Sequence, residues 1–138
     1  MAEEKYWLPT KKNIQEYNLL KDMLHAQKSE FDLLSKKKAD GQLNSMKIKM
    51  VNRVLKPLKE LFKNEEFHEF LDTLNDDELP TNSDVVLIIS QYETAITKFK
   101  GIYYRIDAHY KRGRSSSNAR WITEEEPLDY YASDDDEK

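Results

Sequence analysis

One stretch of the chain, residues 84–112, constrains the fold more than any other. Its apolar residues lie alternately four and three positions apart, which is the period of a buried seam on one side of an α-helix. The seam consists of Val85, Ile89, Tyr92, Ile96, Phe99, Tyr103, Ile106 and Tyr110. A second line runs beside it at seven-residue intervals, formed by Ile88, Ala95, Ile102 and His109. The pattern predicts a long helix from Asp84 to Arg112 that packs against more than one neighbour.

Two earlier stretches show the same spacing. The first predicts a helix at about Lys11 to Lys37 with Thr10 as its N-cap. Its seam consists of Tyr17, Leu20, Leu24, Gln27, Phe31 and Leu34. The second predicts a helix at about Ser45 to Lys63, kinked or divided near Pro57 because proline lacks a backbone donor. Its seam consists of Ile48, Val51, Leu55, Leu58 and Phe62.

Between the second helix and the long one, the sequence predicts a short helix from Glu65 to Leu74, and Ser83 is expected to cap the long helix. The 138 residues include only 3 Gly and 4 Pro, whereas sandwich and barrel folds need many turns. We therefore predict an all-α antiparallel bundle of three long helices and one short helix. The expected divisions are a lead-in (1–9), the bundle (10–112) and a basic-to-acidic C-terminal tail (113–138) whose acidic end is flexible.

Composition limits the class of protein. The chain has no cysteine, which excludes disulfides, thiol nucleophiles and cysteine-ligated zinc. No apolar run approaches the length needed to cross a bilayer, and the N-terminal residues lack the apolar core of a signal peptide. We expect a cytoplasmic protein that does not contact membranes.

Residues suited to catalysis are few. Two pairs have the carboxylate-x-x-His spacing of di-iron helical bundles, Glu65 with His68 and Asp22 with His25. Such a site needs two further inward-facing carboxylates, and the seams of the first and long helices contain none. Arg105 and His109 resemble the Arg and His pair of the HEPN helical ribonucleases over five residues, although those enzymes place the two residues further apart. We expect no enzyme, cofactor or metal site, and keep a helical nuclease or metal enzyme as a third alternative.

Charge is segregated along the chain, although the net charge is only −4. Residues 36–63 contain 9 Lys or Arg and 2 Asp or Glu, and residues 64–84 contain 8 Asp or Glu and no Lys or Arg. Residues 98–120 contain 7 basic and 1 acidic residue, and residues 121–138 contain 8 acidic and 1 basic residue. Blocks of this size indicate opposed surfaces or neutralisation within the molecule.

The basic residues of the second and long helices recur on the sides away from their seams. The candidate partner-binding residues of this basic face are Lys49, Arg53, Lys56, Lys63, Lys98, Arg105, Arg112 and Arg114. If the two helices pack side by side, their charges merge into one positive surface. Three interpretations stay open: a solvated outer face, a site for an acidic protein, or a site for nucleic-acid phosphates.

The C-terminal tail carries charge of the opposite sign together with apolar side chains. Its candidate partner-binding residues are Trp121, Ile122, Tyr130, Tyr131, Asp134, Asp135 and Asp136. One hypothesis is that this tail folds back onto the basic face and competes with an external anion; the simpler one is that it is free or binds elsewhere as a short motif.

These patterns together predict a non-enzymatic helical interaction module, an accessory subunit of a larger assembly that binds a protein partner through the basic face and the acidic aromatic tail. The alternative is a nucleic-acid-binding protein that uses the same basic face, masked by its own tail. The wide apolar face of the long helix leaves homo-oligomerisation open as well.

Overall fold

The computed structural model describes residues 7–107 and 118–128. This part of the chain contains three α-helices: α1 (Lys11–Lys37), α2 (Ser45–Leu61) and α3 (Asn82–Tyr103). Two short strands, β1 (Tyr104–Ile106) and β2 (Ala119–Trp121), form an antiparallel pair. Two 3-10 turns, Glu66–Phe70 and Asp76–Glu78, lie between α2 and α3. The prediction of a mainly helical protein is confirmed, whereas four helices are not found in the described residues.

The chain separates into two compact units. The helical unit is Glu16–Thr97, and the terminal unit combines Met1–Gln15 with Lys98–Lys138. Because α1 and α3 extend past the boundaries of the helical unit, each helix contributes residues to both.

The predicted seams form the core of the helical unit. The side chains that are almost completely buried there include Tyr17, Leu24, Val51, Leu55, Leu58, Phe62, Val85, Ile89 and Tyr92. The Tyr17 hydroxyl donates to the Ile96 carbonyl at 2.8 Å, and the Asn82 side chain donates to the Lys38 carbonyl at 2.9 Å. These bonds join the start of α1 to the end of α3 and the end of α1 to the start of α3, so the two helices are antiparallel.

The predicted helix from Glu65 to Leu74 is wrong. Only the 3-10 turn Glu66–Phe70 forms there, and Leu71 and Leu74 are buried in the irregular segment that follows. The cause is Asn52 on α2, whose side-chain amide donates to the Leu74 carbonyl at 2.9 Å and accepts from the Leu74 N–H at 3.0 Å. Since both backbone groups of Leu74 are already bonded to this buried side chain, the segment is held extended against α2.

The N-terminal cap of α1 is the predicted residue, whereas the cap of α3 differs from the predicted one. Thr10 caps α1 as predicted, because its hydroxyl accepts from the Asn13 N–H at 3.0 Å while the Asn13 side chain accepts from the Thr10 N–H at 2.8 Å. For α3 the reciprocal pair is Thr81 with Asp84, so the cap is Thr81 and not Ser83. The helix α2 continues through Pro57 as one element.

The long helix ends earlier than predicted. It stops at Tyr103, nine residues before Arg112, and the chain continues as β1. The Tyr103 carbonyl accepts from the Ile122 N–H at 2.7 Å, and β1 pairs with β2 in the register Tyr104 with Trp121 and Ile106 with Ala119. Ile106 is 72% exposed rather than part of a seam. Tyr110, His109 and the predicted stop at Gly113 lie outside the described residues.

The terminal unit is built around aromatic rings. Phe99 contacts Tyr103 with ring centroids 4.8 Å apart, and Trp7 contacts Tyr103 at 5.6 Å. The ring of Trp121 lies 6.2 Å from that of Phe99, and Ile122 is 1% exposed. The part of the predicted C-terminal tail that the structure describes after residue 118 is therefore packed into this unit through Trp121 and Ile122.

Candidate interaction surface

The outward side of α2 carries a row of cations. Lys49, Arg53 and Lys56 are exposed, since the opposite side of the helix is buried in the core. Among the described residues, none of the three has an ion-pair partner. Lys63 differs because it follows the end of α2 and pairs with Glu60 at 3.0 Å. The structure thus brings together three of the predicted basic-face residues on one exposed helix side.

Three carboxylates of the acidic block, residues 64–84, accept hydrogen bonds from neutral groups. Asp76 accepts from the Ser45 hydroxyl at 2.6 Å, Asp72 accepts from the Gln91 amide at 2.9 Å, and Asp84 accepts from the Thr81 N–H at 2.9 Å. These contacts shape the connection between α2 and α3. None of these contacts involves a lysine or the arginine of α2.

An apolar edge adjoins the cations of α2. Met46 is 69% exposed and Met50 is 54% exposed. Met50 borders a groove of about 350 Å³ between α1 and α2, and Lys47 lies at the same groove. Gln27 on α1 also lines it, and its amide nitrogen donates to the Met50 carbonyl at 3.1 Å. Its amide oxygen is buried without a hydrogen-bond partner among the described residues.

Sequence reasoning missed this groove and also an exposed apolar side of α1. A second apolar line on α1, Leu19, Met23, Ala26 and Leu33, is spaced 4, 3 and 7. These four side chains are exposed. Of these four residues only Ala26 lines the groove, so their spacing indicates an exposed apolar side of α1 rather than the groove itself.

The other predicted site residues are placed differently. Lys98 and Arg105 are exposed residues of the terminal unit, and Arg105 lies on β1 rather than on a helix. Because the α2 cations belong to the helical unit, a merged positive surface stays a prediction. The remaining predicted residues lie outside the described part of the chain: Arg112, Arg114, Tyr130, Tyr131, Asp134, Asp135 and Asp136.

Arg120 is a basic residue whose side chain is largely buried in the terminal unit. Its guanidinium contacts Asp107 through Nε at 3.0 Å and Nη2 at 2.8 Å, and the two side chains are only 10% and 6% exposed. The same group donates to the carbonyls of Trp121, Glu126 and Pro127. Arg120 therefore fixes residues 121–127 in the terminal unit and does not belong to an exposed basic face.

The first acidic residues after β2 contact the start of α1. The Glu125 carboxylate accepts from the Lys11 backbone N–H at 3.0 Å, and Glu126 lies 3.5 Å from the Lys11 ammonium. The bond from the Lys11 N–H is the main cause that lowers the pKa of Glu125, as expected for a carboxylate at the positive end of a helix. Trp121 and Ile122, predicted as partner anchors, pack inside the same unit.

The described residues contain no candidate metal site. No group of three or more His, Cys, Asp or Glu side chains converges there. A cavity of about 470 Å³ in the terminal unit is lined by Lys11, Arg120 and Glu126 among others, but these charged groups already pair with neighbours. No described helix is long and apolar enough to span a membrane.

No protein-family model matches the sequence, and searches of curated proteins and of solved structures find no match either.

Proposed function

We propose that this protein is a non-enzymatic helical interaction module, an accessory subunit of a larger assembly, and that it binds an acidic protein partner through the exposed side of α2. The observation that carries the proposal is the row of Lys49, Arg53 and Lys56, which are exposed and have no ion-pair partner among the described residues. Charged rows of this kind steer association and select partners of opposite sign.

The apolar residues beside the row support a protein partner. Met46 and Met50 are exposed next to the cations, and methionine is a flexible side chain that adapts to the shape of a partner. Protein interfaces combine an apolar centre with a charged rim, and this side of α2 offers both. We propose residues 129–138, the acidic end of the tail, as a second contact surface for the partner.

Nucleic acid is the second candidate, favoured by the same row of cations. Lys and Arg on one helix side suit phosphate groups, and their binding falls steeply with added salt because counterions are released. The exposed methionines give nucleic acid no phosphate contact, so we rank this function second.

The test compares two triple variants of the full chain with equal change in charge. In the first, Lys49→Glu, Arg53→Glu and Lys56→Glu reverse the α2 row. In the matched control, Lys12→Glu, Lys36→Glu and Lys37→Glu reverse exposed cations of α1. Each protein is used as bait in its native host, and each is titrated with duplex DNA and single-stranded RNA at low and high ionic strength.

We expect one protein to co-purify stoichiometrically with wild type and with the control, but not with the α2 variant. Salt-dependent binding of DNA or RNA that only the α2 variant loses would replace the first function with the second. Retention of every partner by the α2 variant would show that this helix side is not the contact surface.

A further inference from the structure

We propose that the exposed side of α2 and the acidic segment beside it bind a second copy of this chain, so that the protein forms a symmetric dimer through its own opposite charges. This inference rests on the proposed function, because it uses the same row of cations, and it identifies the acidic protein partner as the chain itself. All the residues that carry it belong to the helical unit.

The acidic segment, residues 66–78, runs antiparallel to α2 along one of its sides. The Asn52 side chain bonds the N–H and the carbonyl of Leu74, and Ser45, at the start of α2, donates to the Asp76 carboxylate at 2.6 Å. The later residue of the segment therefore meets the earlier residue of the helix. The segment contains 6 Asp or Glu and no Lys or Arg, and all six are exposed.

The cations of α2 lie directly beside this segment. Lys49 follows Ser45 by four positions, and Arg53 continues the row four positions later. Lys56 follows Asn52 by the same interval. Residues four apart are neighbours on one side of a helix, so the residues that hold the acidic segment adjoin the cations. The helical unit thus carries a basic row and an acidic row side by side along α2.

The two rows are not joined by ion pairs within one molecule. Among the described residues, the three cations have no ion-pair partner, and the Asp72 and Asp76 carboxylates accept from neutral groups. The ion pairs of α1 and of the end of α2, Lys28 with Asp32 and Lys63 with Glu60, belong to neither row. Both rows are therefore exposed to a partner.

Two adjacent rows of opposite sign are complementary to themselves. If a second copy faces the first across a twofold axis that runs between the rows and parallel to them, each basic row meets the acidic row of the other copy. A twofold interface uses a self-complementary surface of this kind, in which every contact occurs twice. A twofold axis in the same plane but perpendicular to the rows would bring like charges together, which is repulsive. The charges therefore favour a dimer whose two α2 helices are parallel.

Exposed apolar side chains at the start of α2 fit this arrangement. Met46 is 69% exposed and precedes Arg53 by seven positions, so it lies on the side of the basic row. Leu79 is 58% exposed and directly follows the acidic segment. It lies near the start of α2, because the next residue, Pro80, accepts from the Leu43 N–H at 3.0 Å. Since the proposed axis keeps the starts of both α2 helices together, Met46 of one copy faces Leu79 of the other and adds an apolar contact.

The experiment measures self-association of full-length proteins by sedimentation equilibrium at low and high ionic strength. Wild type should form a dimer that weakens as salt is added. The α2 charge-reversal variant defined above should have a dimer dissociation constant at least about a hundredfold higher, because acidic rows then face each other. An acidic-row variant should lose the dimer equally. It reverses three exposed carboxylates that have no ion pair or side-chain hydrogen bond in the described part of the chain, through Glu66→Lys, Glu69→Lys and Asp77→Lys.

Mixing the two variants distinguishes matched rows from a general effect of charge. Together they should form a heterodimer, since the two acidic rows of one chain then meet the two basic rows of the other. A chain with both rows reversed should dimerise like wild type. The matched control that reverses three cations of α1 has the same net charge as the α2 variant and should dimerise with wild-type affinity. Circular dichroism checks that every variant keeps its helices.

Introduced cysteines test the axis, because the chain has no cysteine of its own. Oxidation of a mixture of Met46→Cys and Leu79→Cys, in which one chain carries a tag that resolves mixed dimers by mass, should give a disulfide-linked mixed dimer. Phe70→Cys is the control for Leu79→Cys. Phe70 is 67% exposed but lies toward the other end of the acidic segment, so its mixture with Met46→Cys should not cross-link.

The outcomes separate this inference from the proposed function. A monomeric wild type, a dimer that either row variant retains, or variants that do not associate when mixed would each overturn the symmetric dimer. Cross-linking of Met46→Cys to Phe70→Cys in preference to Leu79→Cys would overturn the parallel axis and with it this inference. A monomeric wild type that still captures another protein through the α2 row would leave the proposed function standing without the dimer.

Discussion

The helical unit and the terminal unit use polar residues in opposite ways. In the helical unit the buried polar contacts are neutral, such as those of Asn52 and Tyr17, and the cations of α2 are left exposed. In the terminal unit charged side chains stabilise the unit itself, as Arg120 does with Asp107 and Glu125 with the start of α1. A charge already paired inside the fold is a poor candidate for partner binding, so the exposed cations of α2 are better candidates than the paired charges of the terminal unit.

The largest effect on stability is expected for Arg120→Met in the terminal unit. The change removes the guanidinium that pairs with the buried Asp107 carboxylate, and we expect a loss of about 3–5 kcal/mol in the stability of the terminal unit. The chain's two tryptophans, Trp7 and Trp121, both lie in that unit, so tryptophan fluorescence during urea unfolding measures it selectively.

Arg105→Met is the matched control, since Arg105 faces Arg120 in the strand register but is exposed. Its effect should stay within about 0.5 kcal/mol. Equal unfolding curves for the two variants would contradict a structural role for Arg120.

The counterpart in the helical unit is Asn52→Leu. This substitution leaves the N–H and carbonyl of Leu74 buried and unpaired, and we expect a loss of about 2–3 kcal/mol. Far-UV circular dichroism follows it, because most of the α-helical residues belong to the helical unit. The control is Asn64→Ala, at an exposed position after α2, which should change the stability little. An equally small loss of stability in Asn52→Leu would show that its two bonds to Leu74 are dispensable.

Replacing two glycines with alanine should change the stability of the protein in opposite directions. Gly101 lies in α3 with open space where an added methyl group would point, so Gly101→Ala should stabilise the protein by about 0.5–1 kcal/mol through helix propensity. At Gly41 a methyl group would lie 2.9 Å from the Asn82 side-chain nitrogen, which bonds the Lys38 carbonyl. Gly41→Ala should therefore destabilise the protein. Thermal unfolding of the two variants measures both effects, and a shift in the same direction would contradict this assignment.

The smallest expected effect is that of Glu125→Gln, because Glu125 is exposed. Its pKa is lowered in the folded protein relative to the ordinary value of 4.5, chiefly by the Lys11 N–H. The contribution of its ionised form is therefore complete above pH 4.5 and is lost as the pH falls through the lower folded value. We expect tryptophan fluorescence to show a shallower acid dependence of stability in this variant than in wild type. Glu124→Gln is the control, and an identical change there would assign the effect to net charge.

Much of the fold could be predicted from local spacing. The seams of α1 and α2 and the first six residues of the α3 seam are buried or half-buried as predicted, because a period near 3.5 residues places them on one side of a helix. The exposure of Lys49, Arg53 and Lys56 follows from the same argument, since they occupy the opposite side of α2. The buried seams and the exposure of these three cations could therefore be predicted from each helix alone.

The groove and the strand pair could not be predicted in this way. The apolar spacing of α3 continues to Ile106, yet the helix ends at Tyr103 because the backbone there bonds to Ile122, far along the chain. Similarly, Leu74 is held by Asn52 across 22 residues. The groove exists only where α1 and α2 lie side by side, so reading each helix separately missed it.

Three helices, their buried sides and the separation of charge into blocks follow from local sequence patterns, since each of these depends on neighbours within a few turns. Tertiary structure alone decided where α3 stops, which arginine is buried and which carboxylates bond to backbone groups. The physical reason is that hydrogen-bonding groups of the backbone and of buried charges must find partners. In this chain those partners come from residues distant in sequence, which no local period can reveal.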